Sequence, residues 1–150
     1  MILADTSVWF DHLRRRDPQL RAALEAHQIC IHPMVVGELA CSNLRSRAIL
    51  AHLHLLPPTT LATHDEALAM IEQHKLMARG VEFVDAHLLA SAKLSNASLW
   101  TRDVRLAAIA AEFGIGAAAN GLHRPLRNLN QLYAETKTSL GLKSVFAYSQ

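Results

Sequence analysis

The stretch Met1-Ile-Leu-Ala-Asp-Thr-Ser-Val-Trp-Phe10 decides how the chain is read. Ile2, Leu3 and Ala4 form a short apolar run of the kind a parallel strand buried on both faces requires. The run breaks at Asp5, and Thr6 and Ser7 offer hydroxyls able to cap a following helix. An acid at the C-terminal end of a first buried strand stands where open α/β sheets bind their ligands. Alone, Asp5 reads better as a helix start. Three further carboxylates downstream reverse that balance.

Outward from this stretch, short apolar runs alternate with helical periodicity. Val8, Trp9, Phe10 and Leu13 predict a helix over 7–14, and Asp17-Pro18 is an N-cap acid followed by a first-turn proline, opening a helix over 19–26. Residues 29–31 read as a second strand, closed by His32-Pro33, with helices over 34–43 and 45–56 behind it, the latter stopped by Pro57-Pro58. Thr63 and Glu66 stand at capping-box spacing, predicting a helix that runs to 79 and is terminated by Gly80. A helix over 85–94, a strand over 98–101 and a helix over 104–113 complete the pattern. Strands alternating with helices predict an α/β fold, a small parallel sheet flanked by helices. From Ala117 onward the periodicity weakens and Ser, Thr and Lys accumulate. The chain therefore divides into a domain over 1–116 and an extension over 117–150, an appended arm or partly sequence foreign to the fold.

A hydrophobic content of 51% with 19% charged residues suits a globular domain of this length. No apolar run approaches the ~20 residues of a membrane span, and the start lacks the features of a secretion signal. Cys30 and Cys41, without CxxC spacing, read as core or helix-face residues in a reducing cytoplasm. The net charge of +2 is uneven: residues 1–116 hold 11 Lys and Arg against 12 Asp and Glu, while 117–150 hold 4 against 1. The main domain is thus no basic nucleic-acid binder by composition.

Four acids stand out. Asp85 shares a helical face with Leu88, Leu89 and Ala92, a stripe that should enter the core, where an ionised carboxylate needs a partner. Its plainer alternative is a first-turn acid complementing the helix dipole. Glu38 lies among Val35, Leu39 and Cys41, with Gly37 beside it as a weak sign of close backbone approach; a solvated helix face is its alternative. Asp103 follows the strand ending at Thr101 as Asp5 follows the first, so the two acids belong at one sheet edge; Asp103 also suits a helix N-cap. Converging carboxylates repel, and a hard divalent cation, Mg²⁺ or Mn²⁺, is the simplest agent that holds them ionised together. The nine histidines show no zinc-binding spacing, and His52 and His54 read as surface residues.

Asp5-Thr-Ser-Val-Trp, Val36-Gly-Glu-Leu39, Val84-Asp-Ala-His-Leu-Leu-Ala-Ser-Ala92 and Leu99-Trp-Thr-Arg-Asp103 together resemble the PIN-domain ribonucleases, and among them the VapC-type toxins of bacterial toxin–antitoxin pairs. The resemblance spans residues 1–116 and includes all four acidic positions. It implies an α/β/α sandwich in which Asp5, Glu38, Asp85 and Asp103 form a metal-binding catalytic pocket, supported by the hydroxyls of Thr6 and Thr101. It further implies metal-assisted endonucleolytic hydrolysis of RNA, a homodimer, and inhibition by a small antitoxin. Arg102, between Thr101 and Asp103, is expected to hold a substrate phosphate, whereas Arg14, Arg15 and Arg16 read better as a solvated helix end. The tail over 117–150 is longer than such toxins usually carry. Two alternatives stand beside the nuclease: a non-catalytic PIN-like RNA-binding or scaffold module, and a haloacid-dehalogenase-type phosphatase. The phosphatase needs a second acid two residues after Asp5, where this chain has Ser7.

Overall fold

In a computed structural model of the protein, which describes residues 1–117, three strands form one parallel sheet. They are β1 (Ile2–Ala4), β2 (Ile29–Cys30) and β3 (Ser98–Trp100), in the order β2-β1-β3. Seven helices flank them: α1 (Thr6–Arg15), α2 (Pro18–Glu25), α3 (Pro33–Cys41), α4 (Ala48–Leu53), α5 (His64–Gln73), α6 (Phe83–Leu94) and α7 (Val104–Glu112). β1 is central, pairing Leu3 with Cys30 on one side and with Leu99 on the other. Leu3, Ala4, Ile29, Leu99 and Trp100 are buried, as near-continuous apolar runs in a doubly covered sheet should be. Because the strand order turns at β1, the C-terminal ends of β1 and β3 meet at a topological switch point.

Element identity follows the sequence pattern; boundaries shift where local hydrogen bonding intervenes. The caps of α1 and α7 are Asp5 and Asp103 themselves, not the hydroxyls behind them, so α1 begins at Thr6. α3 ends at Cys41 because the Ser42 hydroxyl bonds the Leu39 carbonyl at 2.7 Å and competes with continuation of the helix. α4 is only six residues, with Leu53 its buried anchor. α5 opens on the expected capping box but stops at Gln73, not near 79: Lys75 turns left-handed at φ 51°, which sends Leu76 back into the core. Gly80, at φ 75°, lies in the connection that follows. Parallel bridges from Ile31 to Pro58 and from Leu99 to Gly116 lengthen both sheet edges, a non-local feature that periodicity does not show. Cys30 is buried and Cys41 exposed; His52, His54, Arg14, Arg15 and Arg16 are exposed. The weakly patterned stretch from 118 onward lies outside the described residues. Among those described, no helix is long and apolar enough to cross a membrane.

A buried polar seam joins α3 to α6. His32 Nδ1 accepts the Met34 N–H at 3.1 Å and so caps α3, while Nε2 lies 3.1 Å from the Ser91 hydroxyl, which also accepts the Ala62 N–H. Burial, with some help from His87, pushes His32 down to about 4. The ring is neutral, and its tautomer follows from its bonds: Nδ1 accepts, so Nε2 carries the proton.

Candidate active site

The helix stripe of α6 is the reason Asp85 sits where it does. Leu88, Leu89 and Ala92 are fully buried, and the same face carries Asp85 inward at the first turn. Asp85 is a first-turn cap acid and is also partly buried. One oxygen accepts the Glu82 N–H at 2.8 Å as half of a capping box. The group is also pushed above the usual carboxylate range, by burial first and then by the charges of Asp5, Asp103 and Glu82, against the opposing Glu82 hydrogen bond. Asp85 therefore shares an electrostatic environment with two of the other three acids.

Asp5 and Asp103 stand side by side at the sheet edge, as their positions after β1 and β3 require. Asp5 continues the ladder by donating its N–H to the Trp100 carbonyl at 2.8 Å. Its carboxylate accepts from the Thr6 N–H (2.6 Å), the Ser7 hydroxyl (2.7 Å) and the Thr101 hydroxyl (2.7 Å), which fixes its plane. Thr101 also accepts the Asp103 N–H at 3.0 Å, so one hydroxyl spans both acids. Asp103 caps α7 through Arg105 and Leu106. The Leu106 N–H and the Arg105 guanidinium hold its carboxyl below its ordinary value. Glu38 is half-buried and receives the Thr6 hydroxyl, which ties α3 to the start of α1. Thr6 and Thr101 thus each donate a hydroxyl to one of the four acids.

Two residues the sequence reading left out belong to this network. Ser7 donates to Asp5 and accepts the Arg102 N–H at 3.0 Å; its only sequence signal was a hydroxyl two residues after the acid. Asp17, recognisable as the α2 cap, also receives the Arg102 guanidinium. Burial would raise Asp17, but the Gln19 and Leu20 amides and Arg102 outweigh it and hold the carboxyl low. Arg102 is therefore paired, to Asp17 and at 3.4 Å to Asp11, rather than extended toward the four acids. Gly37 is exposed, and among the described residues beyond its own helix turn no atom lies within 4 Å of where its Cβ would stand, so no close approach there explains it.

The donor set fits a hard cation. Asp5, Glu38, Asp85 and Asp103 present oxygen only, and a carboxylate has about four lone-pair sites, more than the hydrogen bonds described use. Among the described residues, however, no three acidic, histidine or cysteine side chains already converge closely enough to hold an ion. The acids are neighbours with partners of their own rather than a closed cage.

Known proteins bear on this arrangement. The PIN domain family model matches residues 2–112. Ribonuclease VapC32 of Mycobacterium tuberculosis strain CDC 1551 / Oshkosh is 43% identical over 123 residues, covering 79% of this chain and 97% of that protein. Ribonuclease VapC32 of strain H37Rv is similar to the same extent. The crystal structure of PAE2754 from Pyrobaculum aerophilum overlaps with a TM-score of 0.48 at 20% identity, covering 71% of this chain and 77% of that one. A family model spanning most of the chain, and near-full-length relatives at this identity, place it plainly: the protein belongs to the PIN-domain family, among the VapC-type ribonucleases.

Proposed function

We propose that the protein is a divalent-metal-dependent endoribonuclease, the toxin of a type II toxin–antitoxin pair. The observation that supports this most is the position of Asp85, held on a core-facing stripe where the charges of Asp5 and Asp103 both reach it. Nothing in a purely structural helix start calls for that arrangement. Asp5, Glu38, Asp85 and Asp103 would hold Mg²⁺ or Mn²⁺, which supplies activation of water and neutralisation of charge on the phosphoryl group. The chain's own part is orientation. Thr6 sets Glu38, while Ser7 and Thr101 fix the Asp5 carboxylate, so these two acids meet a substrate already oriented.

By the same reading the nuclease domain is 1–116, and 117–150 is an added extension. The protein is cytoplasmic, forms a homodimer, and is held inactive by a cognate antitoxin. One observation favours a second reading, a non-catalytic RNA-binding module: no three ligands are gathered in the described conformation.

Cleavage of a mixed RNA pool with Mg²⁺, Mn²⁺ or EDTA, wild type beside Asp85→Asn, separates the two. The nuclease reading expects cutting that EDTA abolishes and that the variant reduces at least ~100-fold, the scale of losing one group that stabilises transition-state charge. RNA binding that persists in EDTA without cutting under any ion, in a preparation free of a second small chain, refutes it.

A further inference from the structure

Beside the catalytic turn 101–103 lies a groove of about 310 Å³ lined by Asp11, Arg15, Asp17, Pro18, Gln19 and Arg102. We propose that it is a nucleobase subsite, in which the immobilised guanidinium of Arg102 stacks a base of single-stranded RNA next to the phosphate to be cut. The proposal rests on RNA being the substrate.

The charges in the groove argue against a phosphate there. Two carboxylates and two guanidiniums cancel, and Arg102 is committed to both acids, Nη2 to Asp17 and Nε toward Asp11. A phosphate would have to displace carboxylates already in place. A nucleobase is neutral and presents donors and acceptors along its edge. Asp11, Arg15 and Gln19 on the groove walls supply groups of both kinds.

The same pairing makes Arg102 a platform. Asp17 is itself anchored, 9% exposed with its other oxygen on the Gln19 N–H at 2.8 Å and the Leu20 N–H at 3.4 Å. The guanidinium lies over the buried Trp100 ring, 5.5 Å from its centroid, and its side chain is 38% exposed at the groove wall. A planar cation fixed along one edge and backed by an aromatic ring offers a base a stacking face whose ordering cost is already met. The platform is also coupled to the acids, since the Arg102 N–H bonds the Ser7 hydroxyl that holds Asp5. A base seated on it brings its own phosphate to the Asp5–Asp103 edge.

The test uses single-stranded RNA oligonucleotides in which one abasic site is moved along the strand, with binding to the full chain measured by anisotropy in the Asp85→Asn background, where cutting does not interfere. One abasic position should weaken binding about 10-fold, the scale of one stacked base. Arg102→Ala should remove that penalty. Arg102→Lys, which keeps the charge and loses the plane, should behave like alanine, and Asp17→Asn, which keeps the α2 cap and releases the guanidinium, should reduce the penalty. An even abasic profile overturns the subsite. So does a lysine variant that restores the penalty, or a salt dependence that drops by about one ion with Arg102→Ala, the mark of a phosphate contact. Wild-type cleavage, scored separately, distinguishes failure of the nuclease reading from failure of the subsite: cutting with an even profile sinks the subsite alone.

Discussion

At the scale of single residues, three of the four candidate acids are also helix-capping groups. Asp5 and Asp103 cap helices and face each other across the sheet edge, and Asp85 closes a capping box while sharing their field. This arrangement makes the plainer sequence readings, helix cap and first-turn acid, real contacts. It also yields a stability prediction. Asp85 binds its proton more tightly folded than unfolded, so ionisation costs stability as pH rises above the ordinary carboxylate value of 3.8. Asp85→Asn keeps an acceptor for the Glu82 N–H and loses the charge. In EDTA the variant should melt higher than wild type at pH 7, with the gap closing as pH falls below 3.8; an equal or lower Tm at pH 7 contradicts the account.

At the scale of elements, the acids are set by how their helices are bolted together. Glu38 rides on α3 and Asp85 on α6, and the two helices meet through His32 and Ser91, both buried. Protonating His32 would abolish its acceptance of the Met34 N–H and bury an unpaired charge. Its pKa is lowered from 6.5 to about 4, so the stability it contributes is present above 6.5 and lost as pH falls toward 4. The full difference is up to ~3 kcal/mol. His87, lowered by burial and by His64, acts in the same direction. Melting measured from pH 7 to pH 4.5 should therefore fall steeply for wild type and less steeply for His32→Asn, which retains a capping acceptor without a titrating ring; parallel curves contradict this. The α3–α6 bolt was not legible beforehand. His32 read only as punctuation before Pro33, because its second partner lies 59 residues away.

At the scale of the whole molecule, Asp5 and Asp103 follow adjacent strands of a three-stranded sheet, and their charges reach Asp85 on α6. The repulsion that Asp85 meets from them is present in the folded state, so a cation that relieves it would stabilise that state by mass action. Millimolar Mg²⁺ or Mn²⁺ should raise the Tm of wild type and leave that of Asp85→Asn nearly unchanged. A shift of equal size in both would mean the ion binds elsewhere.

Read alone, the chain carried the alternation of strands and helices and the caps at Asp17 and Thr63, and it nominated four acids as a candidate site. These depend on side-chain periodicity and on hydrogen bonds spanning two or three residues, which a linear pattern contains in full. Which groups touch across the sheet emerged only in the folded chain. The bond from Thr101 to Asp5 joins residues 96 apart, and Arg102 reaches Asp17 across 85. Parallel register is set by packing of the whole core, so a neighbour on an adjacent strand leaves no local trace. For the same reason Ser7 and Asp17 read as ordinary cap residues until β1 and β3 were laid side by side, and Arg102 read as a phosphate holder until its two carboxylates came into view.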